Sequence, residues 1–397
     1  MTSLILRSGR LPDNILIPSS KSYANRMLIL SAIYPGTFRL NNIPESTDVK
    51  FLIKALSEIG IQFETQGSDL TVKNHFPACE SELENKILSI EVGEGGTTAR
   101  FLASLLLLGQ KEYHLRLGKR LKDRPWGEFI QLVQELKGKA VLKDDLLTIQ
   151  GPIQVKKKLE VDCSRTTQFA SGFQMALSSL GTEVIPKGLE SSQSYWLMTE
   201  ELVKSMKEKS SLDVPLDWSS ASYALAFGAL NHPIEFPGLY YDKFQADAKF
   251  YHLLDELCSL EKMDHGLRVI PAKKNFSVHL DVSDCLDLVP TLGYLLSHID
   301  GRHELKGIEN LKHKESDRLS EIVKLLSAFD RKTKVENDCL IIWGDSKKKN
   351  VPVKLELPDD HRMVMTGALF LRHHQGGEIG PIEAVAKSYP EFFKLFD

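Results

Sequence analysis

The chain has 397 residues, 42% of them hydrophobic and 26% charged, with a formal net charge of -3. That length exceeds one ordinary core and predicts two domains. The mildly acidic balance speaks against a broad nucleic-acid surface, which needs a basic field, but leaves room for a small cationic pocket.

The start, "MTSLILRSGRLPDN", lacks the apolar core of a secretory signal. "SSKS" then precedes a small-residue apolar helix, "NRMLILSAIYPG". A strand, "TFRLNNI", and an amphipathic helix, "DVKFLIKALSEIG", follow. "GEGGTT" opens the next buried helix, "TARFLASLLLLG", with "PWGEFIQLVQELKG" as its amphipathic partner. "SRTTQ" opens "QFASGFQMALSSLG", and "DWSSAS" opens "ASYALAFGALN". The strand "IEFPGL" and the helix "ADAKFYHLLDELCSL" come after these. The last two buried helices are "LVPTLGYLLSHIDG", followed by "HELKGI" and "ESDRLSEIVKLLSAF", and "RMVMTGALFLRHHQGG", opened by "PDDHR". The pattern thus runs six times, a buried helix, a short strand and mostly a half-exposed helix, and suits two domains of three units each. Most buried helices run to a glycine, which predicts a glycine C-cap.

Ser, Thr and Gly at four of these helix starts, and Asp in "PDDHR" at a fifth, stand where unpaired N–H groups and a partial positive charge can cradle anions. Ordinary N-capping explains each alone, but three starts also carry a cation: Lys21, Arg100 and Arg362. Further cations stand in tight motifs: Arg124 in "RLKDRPWG", Lys312, Lys314 and Arg318 in "NLKHKESDRL", and Lys387 before the last helix in "AVAKSYPEF". Converging on one cleft, they would suit substrates bearing phosphate and carboxylate. Among them stand two carboxylates, Asp287 in "SDCLDLVPT" and Glu315 in "HKESDR". An anion pocket should exclude acids unless they move protons, although a helix cap and a surface ion pair are the plainer readings.

Other chemistries find no support. The five cysteines are scattered, with no CxxC pair, so neither a zinc site nor a disulfide framework is expected. The longest apolar run, "FLASLLLL", is too short for a membrane span, and a cytoplasmic location is expected. GxxxxGK[ST], GxGxxG in βαβ spacing, HExxH and GxSxG are absent. His373 and His374 are adjacent and should point opposite ways, which argues against paired metal ligands. Chemistry on anions without metal or cofactor remains.

Taken in order, "PSSKSYANR", "GGTTAR", "KDRPWG", "DCSRTTQF", "DWSSASY", "NLKHKESDRL", "DDHRM" and "KSYPEFF" make the chain resemble the 5-enolpyruvylshikimate-3-phosphate synthase family of enolpyruvyl transferases. The match spans essentially the whole chain. It implies an α/β (α+β) fold of two similar domains, each of three inverse βαβαββ units in an inside-out barrel, with the active site in the interdomain cleft. Residues 1–18 and 232–397 would form a discontinuous domain around an inserted domain of residues 19–231.

The resemblance implies transfer of the enolpyruvyl group of phosphoenolpyruvate to the 5-hydroxyl of shikimate 3-phosphate, in a monomer with no cofactor or metal. Lys21, Gly96, Arg100, Arg124, Gln168, Arg318, Arg362 and Lys387 would hold phosphoenolpyruvate. Lys21, Ser22, Arg26, Thr166, Thr167, Gln168, Ser192, Tyr195, Asp287, Asn310 and Lys314 would hold shikimate 3-phosphate. Asp287 would act as base, and Glu315 with Lys21 would manage the proton on C3. Asp217, Asp360 and His361 match family motifs as loop supports.

Three departures stand out: Thr166-Thr167 replaces the usual Ser-Ser, Glu94 replaces a common Asn, and "SQSYWL" replaces the usual Ser-Arg-Pro-Tyr run. The rival of the same fold, UDP-N-acetylglucosamine enolpyruvyl transferase, usually carries a cysteine (occasionally Asp) before the "RP" motif. Here Lys111 to Arg124 holds none, although Asp123 is present. A non-catalytic anion-binding relative would be expected to lose Lys21, Asp287 or Glu315, and all three are present.

Overall fold

The computed structural model describes residues 2–83, 88–189, 192–271 and 277–397. The chain divides into two compact units, one of residues 19–215 and one of residues 1–18 with 216–397.

The inserted unit holds helices α1 (Lys21–Ser31), α2 (Thr47–Glu58), α3 (Gly96–Leu106), α4 (Gly127–Glu135), α5 (Gln168–Ala176) and α6 (Gln193–Glu208). Helices α1, α3 and α5 pack on one another at its centre and are buried along most of their length. Their mix of small and apolar residues allows this, because no polar face needs water. Gly172 lets α5 lie directly on α3: a Cβ there would come within 2.5 Å of Ser104 Oγ. Around this centre lie three sheets. The strands Leu88–Glu91, Glu112–Arg116, Lys139–Lys143 and Leu146–Gln150, interleaved with α3 and α4, form a complete βαβαββ unit. Its first two strands pair in parallel and the rest antiparallel.

The discontinuous unit repeats this plan with α7 (Trp218–Leu230), α8 (Phe250–Leu257), α9 (Val289–Ser297), α10 (Arg318–Ala328) and α11 (His361–His373). Here α7, α9 and α11 form the buried centre. The strands His279–Asp281, Gly301–Lys306, Lys332–Glu336 and Cys339–Gly344 reproduce the same βαβαββ order. Each fully buried Leu, Phe or Met along these helices stabilises its unit by about 1.5–3 kcal/mol.

Three expectations change. Residues 216–231 belong to the discontinuous unit, so the chain returns at Pro215–Leu216 and not at Asn231. The reason is packing: α7 lies against α9 and α11, Ser222 Oγ is 3.1 Å from Thr291 Oγ1, and Asn231 Nδ2 is 3.2 Å from His373 Nδ1. The buried helices also stop before their glycines, with Ala32, Leu107, Leu177 and His374 at C-caps where a glycine was expected. Gly36, Gly181 and Gly376 come later, at positive φ, and turn the chain towards the next strand. Finally, Lys387 ends a 3-10 turn, Ile382–Lys387, and the chain closes on a second one, Phe392–Phe396, rather than an α-helix.

Candidate active site

In the inserted unit Lys21 is the first residue of α1, and its Nζ donates to Asp48 Oδ2 at 2.9 Å. Asp48 is buried in the first turn of α2 and lies against the start of α3. A Cβ on Gly95 would stand 2.9 Å from the Asp48 Cγ, and Thr98 Oγ1 donates to the Asp48 carbonyl at 3.1 Å. One step along α3, a Cβ on Gly96 would stand 2.6 Å from Arg124 Nη1 and 3.0 Å from Gln168 Oε1. Arg100 Nη1 donates to the same Gln168 Oε1 at 2.6 Å, and Nη2 to the Pro125 carbonyl at 3.1 Å. Gly96, Arg100, Arg124 and Gln168 are therefore one cluster.

Arg100 is buried over the rings of Trp126 and Phe169. Burial, and after it the neighbouring Arg124 charge, presses its guanidinium well below the ordinary pKa. A guanidinium keeps its proton in proteins, so a bound anion is the natural relief of this repulsion. The starts of α1 and α5 have no side-chain cap at Ser20 or Thr167, so ordinary capping does not explain those two residues.

Arg26 is held within the inserted unit by three hydrogen bonds that it donates. It is buried, donating from Nε to Thr199 Oγ1 at 2.8 Å, from Nη1 to the Ser22 carbonyl at 2.9 Å and from Nη2 to the Tyr195 carbonyl at 3.2 Å. It thereby ties Ser22 on α1 to Tyr195 on α6. Ser192 precedes α6 in the left-handed region, at φ 61°. Thr166 Oγ1 accepts from the Gln168 N–H at 3.3 Å, and Thr167 is buried beside it. Glu94 does not simply add an acid: its Oε2 accepts from the Arg120 and Leu121 N–H groups, both at 3.2 Å, and braces the turn that carries Arg124.

In the discontinuous unit Asp287 is gripped by cations. Arg318 Nη1 lies 2.7 Å from its Oδ1, Lys314 Nζ 3.5 Å from the same oxygen, and Arg362 Nη2 3.0 Å from its Oδ2. Burial alone would raise the Asp287 pKa; Arg362, Lys314 and Arg318 overcome it and hold the carboxyl well below the usual range. Glu315 stands next to it, with Oε2 2.8 Å from His361 Nδ1 and Oε1 3.2 Å from Lys387 Nζ. Here too burial is outweighed, by His361 and Lys387, and Glu315 is held ionised.

Asp360 organises the group. It caps α11 by accepting from the Arg362 N–H at 3.0 Å, and it takes Arg318 Nε at 2.8 Å and Ser316 Oγ at 2.9 Å. Asn310 lies on the 3-10 turn Glu309–His313 that leads to Lys314. Sequence reasoning placed Asp360 and His361 as supports but missed Asp48 and Thr199, which look like ordinary helix residues until the fold sets them against Lys21 and Arg26.

Glu315, Asp360 and His361 offer donor atoms within 4.8 Å of one another, the one such group among the described residues. Arg318 and Lys387 already bring positive charge to those carboxylates.

The fold is that of the enolpyruvyl transferases. It matches the EPSP synthase of Acinetobacter baumannii with a TM-score of 0.75 at 19% identity, covering 99% of this chain and 97% of that one. The enolpyruvyl transferase NikO from Streptomyces tendae gives 0.72 at 12% identity, covering 99% and 96%. A model of the EPSP synthase (3-phosphoshikimate 1-carboxyvinyltransferase) family matches residues 6–211 and 203–396. The chain belongs to that family and is an enzyme of the enolpyruvyl transferase type.

Among its relatives, the 3-phosphoshikimate 1-carboxyvinyltransferase of Photobacterium profundum is 25% identical over 429 residues, covering 99% of this chain and 98% of the relative. Those of Pyrococcus abyssi and Clostridium kluyveri are 27% and 28% identical, covering 98% and 100% of this chain and 95% and 97% of theirs. No described helix is long and apolar enough to cross a membrane.

Proposed function

We propose that the protein transfers the enolpyruvyl group of phosphoenolpyruvate to the 5-hydroxyl of shikimate 3-phosphate, releasing phosphate and forming 5-enolpyruvylshikimate 3-phosphate. The observation that carries this reading is Asp287, an ionised carboxylate held by Arg318 at 2.7 Å and Arg362 at 3.0 Å among residues otherwise suited to anions. That carboxylate is ionised and can take a hydroxyl proton once the anions of the substrates draw Arg362, Lys314 and Arg318 away from it. The named relatives, which span nearly the whole chain, support the same substrates.

In this reading Asp287 takes the proton of the 5-hydroxyl as its oxygen bonds to C2 of phosphoenolpyruvate. The C2=C3 electron pair takes a proton at C3, for which the Lys21 ammonium is the donor in reach of an anionic substrate. The tetrahedral intermediate then loses a C3 proton to Glu315, the double bond reforms, and the C2–O bond to phosphate breaks. Arg100, Arg124, Gln168, Arg318, Arg362 and Lys387 would offset the phosphate and carboxylate charges. Ser22, Arg26, Thr166, Thr167, Ser192, Tyr195, Asn310 and Lys314 would bind shikimate 3-phosphate, with Arg26 also holding Ser22 and Tyr195 in place.

The test is phosphate release from phosphoenolpyruvate with shikimate 3-phosphate or UDP-N-acetylglucosamine as acceptor. Turnover with shikimate 3-phosphate alone is expected. Turnover only with the sugar nucleotide, or with neither, overturns the assignment.

A further inference from the structure

One buried acid takes no part in that scheme. Asp247 lies on a 3-10 turn, Ala246–Lys249, that packs against α7. The residue is 2% exposed, Ser219 Oγ donates to its Oδ2, and its Oδ1 is buried with no hydrogen-bond partner among the described residues. The charged and titratable groups facing it come from three directions. They are Asp217 of the α7 cap, Asp287 and Cys285 of the turn before α9, and Arg362 of α11. Lys249, on its own turn, is engaged elsewhere, 2.9 Å from Asp284 Oδ2.

An ionised carboxylate with one oxygen buried and unmet is costly, and a second negative charge beside Asp287 adds to the cost. We propose that Asp247 is a positioning residue for the Arg362–Asp287 pair: with its proton on, it leaves the Arg362 guanidinium to Asp287 and to an incoming substrate anion, and once ionised it competes for that charge. The idea deepens the function proposed above and rests on it for its kinetic readout. Burial first, and the Asp287 charge against the pull of Arg362, push the Asp247 carboxyl up to about 7. The competition therefore falls near neutral pH. Ser219 works the other way, since its hydrogen bond favours the ionised form.

The test compares the wild type with Asp247→Asn, which keeps an acceptor for Ser219 and cannot ionise. In the wild type, KM for phosphoenolpyruvate should rise above neutral pH, by up to about tenfold per pH unit. In Asp247→Asn that rise should be lost. Comparing the two profiles cancels the ionisation of the substrate itself. Ser219→Ala is the second variant, and its rise should begin at higher pH. Parallel profiles in all three proteins overturn the proposal, as does a KM raised equally at every pH in Asp247→Asn, which would mark an always-ionised counter-charge.

A readout without turnover separates this idea from the function it rests on. Carbon-13 NMR of aspartate-labelled resting protein should show one carboxyl titrating near neutral pH that is missing from Asp247→Asn. Its absence overturns the proposal even in an active enzyme. Its presence in a protein that does not turn over shikimate 3-phosphate supports the proton on Asp247 while the function fails.

Discussion

Glu315 and His361 meet at 2.8 Å, Oε2 to Nδ1, with the imidazole buried on the first turn of α11 and the carboxylate ahead of α10. Lys387 closes on the other carboxylate oxygen at 3.2 Å. Glu315 is thus fixed in orientation and kept ionised, which the proposed role of base at C3 requires.

Replacing this proposed base should stop turnover without emptying the site. Glu315→Gln preserves the shape and the contact to His361 while removing the proton acceptor. A loss of about 10²–10⁴-fold in kcat is expected, with shikimate 3-phosphate affinity by calorimetry changed only a few-fold. Undiminished kcat would remove Glu315 from proton transfer.

Gly96 tests the cationic cluster in the inserted unit. Its missing Cβ leaves room for Arg124 Nη1, which a methyl group would meet at 2.6 Å. The arginine end is flexible, so Gly96→Ala should fold normally and displace Arg124. We expect KM for phosphoenolpyruvate to rise about tenfold or more, the worth of one charge-assisted hydrogen bond of about 1.5–3 kcal/mol. KM for shikimate 3-phosphate should change far less; equal changes in both would mean that Arg124 serves no particular substrate.

At the far end of α11, histidines are built in neutral. His373 and His374, expected to point apart, both converge on His298, with ring centroids 4.2 and 5.0 Å from it. The Lys349 N–H donates to His374 Nδ1 at 2.7 Å, so the proton of that ring sits on Nε2 and reaches His298 Nε2 at 2.8 Å. His298 Nδ1 donates to the Tyr294 carbonyl at 2.7 Å. Burial, with Lys348 and Arg331 nearby, lowers His373 to about 3 and His374 to about 4.

Below the ordinary histidine pKa, near 6.5, the unfolded chain binds protons that the folded one refuses. The stability contributed by these neutral rings should therefore be complete above about pH 7 and fall on acidification by about 1.4 kcal/mol per pH unit for each ring, down to its folded pKa. Calorimetric Tm values between pH 7.5 and 5 check this. His374→Gln should show a shallower decline than the wild type, and an equal slope would contradict the neutral cluster.

Gly172 joins core packing to the site. A side chain there would strike Ser104 Oγ at 2.5 Å and approach the Arg100 carbonyl at 3.2 Å, both on α3. Gly172→Val should force α5 off α3, with a stability loss of about 1–3 kcal/mol by chemical denaturation. Because Gln168 and Arg100 ride on those two helices, their 2.6 Å contact should loosen and KM for phosphoenolpyruvate should rise. A variant of wild-type stability and KM would show that the close approach has no role.

Much of this was written along the chain. The buried helices announced themselves by small and apolar residues without a polar face, since a helix period of 3.6 is a local property. Local motifs marked Asp287, Glu315 and Arg318, and motif order carried the family. The boundary near residue 231 was misplaced because α7 has no sequence mark of its neighbours; only its packing on α9 and α11 assigns it.

What the sequence by itself determined was residue type, helix period and the local cation and acid motifs, all set within a few residues. Partnership belonged to the tertiary structure. Arg26 is spent on Thr199, 173 residues away, Lys21 on Asp48, and Glu94 on the turn at Arg120. Hydrogen bonds are short-ranged and directional, and buried charges take the nearest partner the fold supplies, so the task of a charge was decided only by which distant groups packing placed within 3 Å or so of it.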